Sequence, residues 1–368
     1  MPELPEVEVV RAGLAPAVTG ATVASVTVFD ERSLRRHPGP SEDFVARLIG
    51  RTFTSAVRRG KFLWLPLAPL PTAGAVSEIQ DNGAGSALAA VPPRVTTDHS
   101  PEFPTEAVVV HLGMSGQVLL RAPGSADDAL TRIRLELSSP THGTLLMNFA
   151  DQRIFGSMAI DELIPTPDGR PGGYSGAPLV ELVETSPVET PLVEPVETSP
   201  SGNSGVKPRA AGASLAVIPR TVAHIARDPL DPAFDEKRFF AALAKRKTGI
   251  KRGLLDQSLV SGIGNIYADE ALWAARIHYD QPTDTLSRAK AKTLLAEVRH
   301  VLAKALGEGG TSFDAQYVNV NGASGYFSHS LNAYGQQGKP CPRCGRPIVR
   351  EQFMNRGSHF CPHCQRLR

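Results

Sequence analysis

The sequence predicts an α+β protein of several domains: an N-terminal antiparallel β-sandwich or barrel flanked by helices, then an all-α module, then a small C-terminal hairpin. Three observations carry this. Between residues 21 and 150, short runs rich in Val, Leu, Ile, Phe and Thr are separated by turn residues, the pattern of an antiparallel sheet. From residue 235 the apolar spacing changes to that of amphipathic helices. All four cysteines fall in the last 28 residues as C-x2-C, sixteen residues, C-x2-C. At 368 residues the chain can form more than one domain with its own core.

Taken in order, "PEVEVVRAGLAPAV" (5–18) reads as a helix, with Pro5 in the first turn, acids at its N-terminal end and Val9, Val10 and Leu14 along it. "ATVASVTVF", "RTFTSAVRRGKFLWLPL", "EAVVVHLGMSGQVLLRA", "TRIRLELSS" and "GTLLMNFA" read as strands. Two stretches interrupt them. Residues 66–105 are rich in Pro, Ala and Gly without sustained periodicity. If the strands on either side pair as a hairpin, this insert is its tip, and Lys61 lies at the opposite end with "HLGMSG", roughly 20 Å away at about 3.3 Å per residue. Residues 166–217 contain "PLVELVETSP" (178–187) and its near copy "PLVEPVETSP" (191–200). Such an acidic, proline-punctuated duplication, almost without aromatics, is expected to be disordered or extended, and two ten-residue copies cannot bury a solenoid core. It could recruit a protein partner through residues 178–200, or be a neutral expansion.

Beyond this, "FDEKRFFAALAKRK", "IKRGLLDQ", "NIYADEALWAARI" and "TLSRAKAKTLLAEVRHVLAKAL" read as helices, with "VSGIGN" a glycine-punctuated turn opening the third. The expected domains are therefore 1–165 (with the insert 66–105), 166–217 as an acidic insert, 218–310 as the helical module, 311–330 as a loop and 331–368 as the hairpin.

The formal net charge of +2 conceals an asymmetry. Residues 235–368 carry 20 Lys and Arg against 11 Asp and Glu, whereas residues 1–234 carry 19 against 26. A basic C-terminal third suits a polyanion partner, although a solvated charged surface reads the same way. No basic n-region precedes an apolar stretch at the start, and no run reaches the ~18 apolar residues of a membrane helix, so a cytoplasmic location and no membrane partner are expected. Cys341, Cys344, Cys361 and Cys364 have the spacing of a tetrahedral Zn2+ site, one ion of structural type. A pair of redox C-x-x-C motifs would expect a βαβ context, which is absent here. His359 and His363 are left over as supporting or surface groups.

The opening "MPELPEVE" invites a chemical reading. Removal of Met1 would leave Pro2 with a free secondary amine, Glu3 beside it and Glu6 one turn on. An α-amine titrates near ~7.7, and lying before a helix N-terminus lowers it further. An unprotonated amine near neutrality is a nucleophile. Acids near the first turn of a helix are also ordinary caps.

"MPELPEVE", "RRGKFLWL", "HLGMSG", "DQRIFG", "GIGNIYADEALW", "GYF" and the terminal C-x2-C pairs occur in this order. Together they resemble bacterial formamidopyrimidine-DNA glycosylase, a bifunctional DNA glycosylase and AP lyase, end to end apart from the two inserts. The resemblance implies excision of 8-oxoguanine and formamidopyrimidines from double-stranded DNA through a Pro2 Schiff base, followed by β,δ-elimination. Pro2 would be the nucleophile, Glu3 the general acid/base, Glu6 its structural support, Lys61 a lesion-side contact assisting β-elimination and Arg356 the hairpin-tip arginine linked to δ-elimination. Met114, Arg153 and Phe155 would fill the gap left by the flipped base and hold the orphaned cytosine. His111, Lys247 and Asn265 would contact phosphates, Asn265 from a helix start whose amides favour phosphate. Residues 218–310 would be the helix–two-turns–helix module, 311–330 a loop over the extruded base, and the enzyme a monomer. Where many relatives read "DPRRFG", this chain has Ile154, so a phosphate contact is absent there. An endonuclease VIII-like pyrimidine enzyme would share Pro2, Glu3, Lys61 and the zinc hairpin, but "MPELPEVE", Met114 and the long loop favour the purine enzyme. A non-catalytic DNA-binding relative would have no need of Pro2, Glu3 and Lys61.

Overall fold

The computed structural model describes residues 2–69, 103–126, 128–176, 215–310, 320 and 327–368. Two antiparallel sheets form the N-terminal sandwich. One has the order β1 (Thr22–Val28), β6 (Thr131–Ser139), β7 (Gly143–Asp151), β5 (Gly116–Arg121). The other runs β2 (Val57–Arg59), β3 (Phe62–Leu67), β4 (Glu106–His111), β8 (Ser157–Pro165), β9 (Val217–Pro219). The sequence explains their different character. In β6, Ile133, Leu135 and Leu137 enter the core while Arg132, Arg134 and Glu136 lie on the more accessible face, as in a sheet with one wet side. In β3, Leu63, Leu65 and Leu67 join the core between the sheets, whereas Trp64 packs on the other face with Ala107, Val109, Ile218 and Val222. A strand covered on both faces needs no polar alternation, hence "FLWLPL".

β3 and β4 pair with Leu63 opposite Val110 and Leu67 opposite Glu106. The chain between them therefore leaves at the end remote from Lys61 and His111. Residues 70–102, the bulk of the insert, lie outside the described residues.

Helix α1 (Leu4–Val18) buries Val7, Val10 and Leu14 in the sandwich core. Three elements have no counterpart in the sequence expectations: α2, β8 and the short edge strand β9. Helix α2 (Ser41–Leu48) is only eight residues long, anchored by Phe44 and Leu48. Strand β8 carries Asp161 and Glu162 in its interior, which obscure its alternation; Asp161 accepts from the Thr221 N–H at 2.8 Å and from its hydroxyl, tying the strand to the turn after β9.

The disordered stretch expected over 166–217 is too wide. Thr166 N–H donates to Ala216 C=O (2.9 Å), Gly172 N–H to Leu215 C=O (3.0 Å), and Tyr174 exchanges backbone hydrogen bonds with Arg58. Pairing with the sheet edge satisfies these backbone groups, which an unpaired stretch would leave to water. The two repeat copies fall in 177–214, outside the described residues.

The helical module comprises α3 (Glu236–Lys245), α4 (Ile250–Leu255), α5 (Asn265–Ala275) and α6 (Arg288–Gly307) around one apolar core. Helix α5 is buried almost all round, including Asp269 and Glu270. Its charged residues hold neighbouring elements. Glu270 accepts from the N–H groups of Asn332, Ala333 and Tyr334. Asp269 pairs with Lys251 at 2.6 Å and accepts from Ser358 and His359. The hairpin β10 (Val349–Phe353) and β11 (Arg356–Phe360) is thereby fixed to α5. Among the described residues no helix is long and apolar enough to cross a membrane.

Candidate active site

Three segments meet at the start of α1: Pro2–Glu3, the β2–β3 turn bearing Lys61, and the turn 261–264 before α5. Pro2 is buried, and Glu3 is 3% exposed. The Leu4 N–H donates to Gly262 C=O at 2.9 Å. The Glu3 carboxylate accepts from the N–H of Gly264 at 2.6 Å and of Ile266 at 3.1 Å. Lys61 Nζ donates to Ile263 C=O at 3.0 Å, a carbonyl also held by Gln257. Such close approach needs glycine. A Cβ on Gly264 would lie 2.2 Å from the Glu3 carboxyl carbon, and one on Gly262, whose φ is +87°, would lie 2.6 Å from Leu4.

The Glu3 carboxylate caps the start of α5, far along the chain. The α5 amides of Gly264 and Ile266 are accordingly not free for phosphate, contrary to the expectation for this helix start; the Asn265 side chain remains, its amide donating to Gly357 C=O at 3.2 Å while its Oδ1 has no partner. Glu6 accepts from the Glu3 N–H at 2.7 Å and from the Tyr267 hydroxyl at 2.6 Å. It thus links the start of α1 to a tyrosine that sequence reasoning did not single out.

Burial raises the Glu3 pKa to about 6, against the opposing pull of Lys61 and the two backbone hydrogen bonds. Burial lowers that of Lys61; Glu3 opposes this and Arg356 adds to it. Glu3 and Lys61 thus lie within each other's field, with titrations moved toward neutrality from both sides.

Lys61 opens on a cleft of about 930 Å³, whose wall includes His111, Lys247 and Arg356. Lys247 and Arg356 are exposed, the latter on the hairpin beyond Met354 and Asn355. His111 stacks on Phe62 with ring centroids 4.9 Å apart. Burial, Arg36, Arg35 and Lys61 hold its pKa at about 4. At neutral pH it is an uncharged imidazole with one ring N–H to donate.

Met114 and Phe155 are 46% and 51% exposed, and Arg153 is exposed. All three stand on two turns locked together. Asp151 accepts from the Ser115 hydroxyl (2.6 Å) and from the N–H groups of Arg153 (3.1 Å) and Gly156 (2.6 Å). Arg35 binds the carbonyls of Ile154, Phe155 and Gly156 from the other side. Ile154 has φ of +54°, a conformation a β-branched residue rarely adopts. The loop 311–330 falls largely outside the described residues, which here include Val320 and 327–330.

Behind Lys61, a buried ionic cluster went unread in the sequence. Arg58 pairs with Glu8 of α1 at 2.8 Å and with Asp228 at 2.9 Å, and Glu8 also binds Arg11. Asp228 further accepts from the Gly60 N–H. The sequence signal was the charged "RRGK" inside an apolar strand pair.

The sulfurs of Cys341, Cys344, Cys361 and Cys364 all lie within 4.8 Å of one another. Four thiolates at that spacing fit one tetrahedral zinc. His359 is not a surface group: it is buried and its N–H and ring both bond to Asp269.

The chain is similar to known proteins along its whole length. Residues 1–158 match the formamidopyrimidine-DNA glycosylase N-terminal domain, 225–316 the formamidopyrimidine-DNA glycosylase H2TH domain, and 338–367 the zinc finger found in FPG and IleRS. The formamidopyrimidine-DNA glycosylase of Leifsonia xyli subsp. xyli is 54% identical over 367 residues, covering 100% of both chains. That of Kineococcus radiotolerans is 47% identical, covering 99% of this chain and 97% of the relative. Among solved structures, wild-type Lactococcus lactis Fpg in complex with DNA containing N7-benzyl-Fapy-dG is 25% identical with a TM-score of 0.65, covering 99% of this chain and 100% of that one. With its three domains matched in order and full-length relatives at this identity, the chain belongs to the formamidopyrimidine-DNA glycosylase family.

Proposed function

We propose that this enzyme excises oxidised purines from duplex DNA with Pro2 as nucleophile, and then cleaves the abasic strand by β,δ-elimination. The observation that carries the proposal is the Glu3 carboxylate, buried next to Pro2, with a pKa of about 6, in the field of Lys61 at the edge of a basic cleft.

The Pro2 amine, freed by removal of Met1, forms a bond to sugar C1′ as the bond from C1′ to the base breaks. The base leaves with a proton and the bound amine loses its own, giving an aminal; the C1′–O4′ bond then breaks as O4′ takes a proton, and the opened sugar is left as an iminium. That cation acidifies C2′–H, so a base can take the proton while the C3′–O bond breaks and the 3′ phosphate departs. A second elimination releases the 5′ phosphate. A carboxylate titrating near 6 can both give and take protons at neutral pH, which assigns Glu3 to the sugar. Lys61 assists the β-elimination from the cleft wall, and Arg356 grips the phosphates flanking the lesion.

Met114, Phe155 and Arg153 enter the duplex in place of the flipped nucleotide: two exposed apolar side chains to fill the stack and one guanidinium for the cytosine edge. His111, Lys247 and the Asn265 side chain contact phosphates. Zinc bound by the four cysteines supplies a fixed cross-link between the two knuckles, so the hairpin presents Arg356 as a rigid unit. The enzyme acts as a monomer, in the bacterial cytoplasm at the nucleoid.

Borohydride trapping tests the centre of this proposal. Duplex carrying 8-oxoguanine opposite cytosine is incubated with the zinc-loaded protein, reduced, and the adduct located by peptide mass spectrometry. An adduct on Pro2 is expected. A demethionylated, DNA-bound protein that yields none overturns the mechanism. The partner role of residues 178–200 is tested by deleting 177–214, because residues 176 and 215 bound the paired edge: unchanged repair in cells would remove it.

A further inference from the structure

A cavity of about 420 Å³ adjoins the cleft, the two sharing His224, Ile225, Arg246 and Ser258 on their walls. Its lining carries five arginines: Arg59, Arg170, Arg227, Arg238 and Arg246. Arg59 is only 5% exposed. Its Nη1 donates to Ile225 C=O at 3.3 Å, while Nε and Nη2 have no hydrogen-bond partner. No carboxylate among the described residues forms an ion pair with it. The acids nearby are engaged: Asp168 and Asp231 both bind Arg227, and Asp235 on the wall caps α3 through the Arg238 N–H. Arg246 is half-satisfied as well, pairing with Asp256 through Nη2 while its Nε is unpartnered.

A buried cation with no hydrogen-bonded carboxylate is costly to keep. The two idle nitrogens of Arg59 form one edge of the guanidinium, the edge that matches two oxygens of a tetrahedral or planar anion. The surplus of positive charge on the wall favours a doubly charged anion over a carboxylate. We propose that the cavity is a phosphoryl-binding site, with Arg59 gripping two oxygens of one phosphate and Arg238 and Arg246 supplying further charge. Burial and the neighbouring Arg227, opposed by Asp231, Asp168 and Asp228, hold the Arg59 pKa down at about 10, so it is still charged at neutrality. The phosphoryl group comes from the backbone of bound DNA or from free phosphate.

The test uses the full chain with zinc. Inorganic phosphate is titrated calorimetrically into the wild type, Arg59→Gln, Arg59→Lys and Arg238→Gln, and the salt dependence of duplex binding is measured for each. Saturable binding is expected, weakened about tenfold or more by Arg59→Gln, less by Arg59→Lys, and detectably by Arg238→Gln, a change at an exposed side chain. If the source is DNA, both glutamine variants also reduce the slope of log K against log salt by about 1. If it is free phosphate, that slope is unchanged while the phosphate isotherm weakens. Phosphate and duplex binding both insensitive to Arg59→Gln and Arg238→Gln would overturn the site and leave a water-filled cavity.

Discussion

The Glu3 carboxylate and the Gly264 backbone N–H are 2.6 Å apart, so the first turn of the N-terminal domain is fastened to the first turn of the buried helix of the C-terminal module. A side chain at position 264 is incompatible with this, since its Cβ would fall 2.2 Å from the Glu3 carboxyl carbon. Gly264→Ala is expected to displace Glu3 and reduce borohydride trapping by about 100-fold, the scale for an ångström-sized misplacement of a catalytic group, with zinc content unchanged. Trapping within twofold of wild type would show that this contact is dispensable.

The raised pKa of Glu3 has a pH signature. Its native value of about 6 lies above the ordinary 4.5. The associated stability is fully present below about 4.5 and is lost as pH rises through about 6. A shift of this size is worth roughly 2 kcal/mol. In urea titrations from pH 4 to 8, wild type minus Glu3→Gln should fall by about that amount across the window. The variant should also lose the acid-side inflection of the glycosylase rate.

Arg58 is the counter-charge for both Glu8 and Asp228 in a fully buried setting. Arg58→Met should destabilise by about 3–5 kcal/mol, because two carboxylates are left without it. Adding Glu8→Gln and Asp228→Asn should recover part of the loss. Denaturant midpoints of the single and triple variants measure this. Full stability in Arg58→Met would mean that the cluster does not order the Lys61 turn.

Removing zinc should unfasten the hairpin while sparing the sandwich, whose core shares no residue with the cysteine cluster. After chelation, duplex affinity is expected to collapse while the near-ultraviolet signal of Trp64, buried in the sandwich, persists. Loss of both together would indicate a single cooperative unit.

Ile154 holds a left-handed backbone with a β-branched side chain. Ile154→Gly should raise stability by about 1 kcal/mol by removing that strain, read from the thermal midpoint. Destabilisation would show that its side chain packs usefully.

Much of this molecule was legible beforehand, for local reasons. Alternating Ile133, Leu135 and Leu137 specify one face of a strand, and a C-x2-C pair specifies a knuckle, whatever surrounds them. The exposed Met114 and Phe155 were legible from their place in glycine turns. Strand β8 and the paired flanks at 166–176 and 215–217 were not, because their partners are distant in sequence and their own composition is polar or glycine-rich.

The sequence alone determined the chemistry available to this protein: an N-terminal Pro–Glu pair, a lysine in a charged tetrad, four thiolates and the order of the domains. These depend on residue type and short spacing. Tertiary structure decided how that chemistry is tuned. Glu3 titrates near 6 because folding buries it against α5, more than 260 residues away. His111 is neutral because Phe62, Arg35 and Arg36 surround it. Arg58 finds both its carboxylates, and Arg59 neither, for the same reason. Desolvation and charge pairing act through space over a few ångströms, and only the folded chain sets which groups come that close.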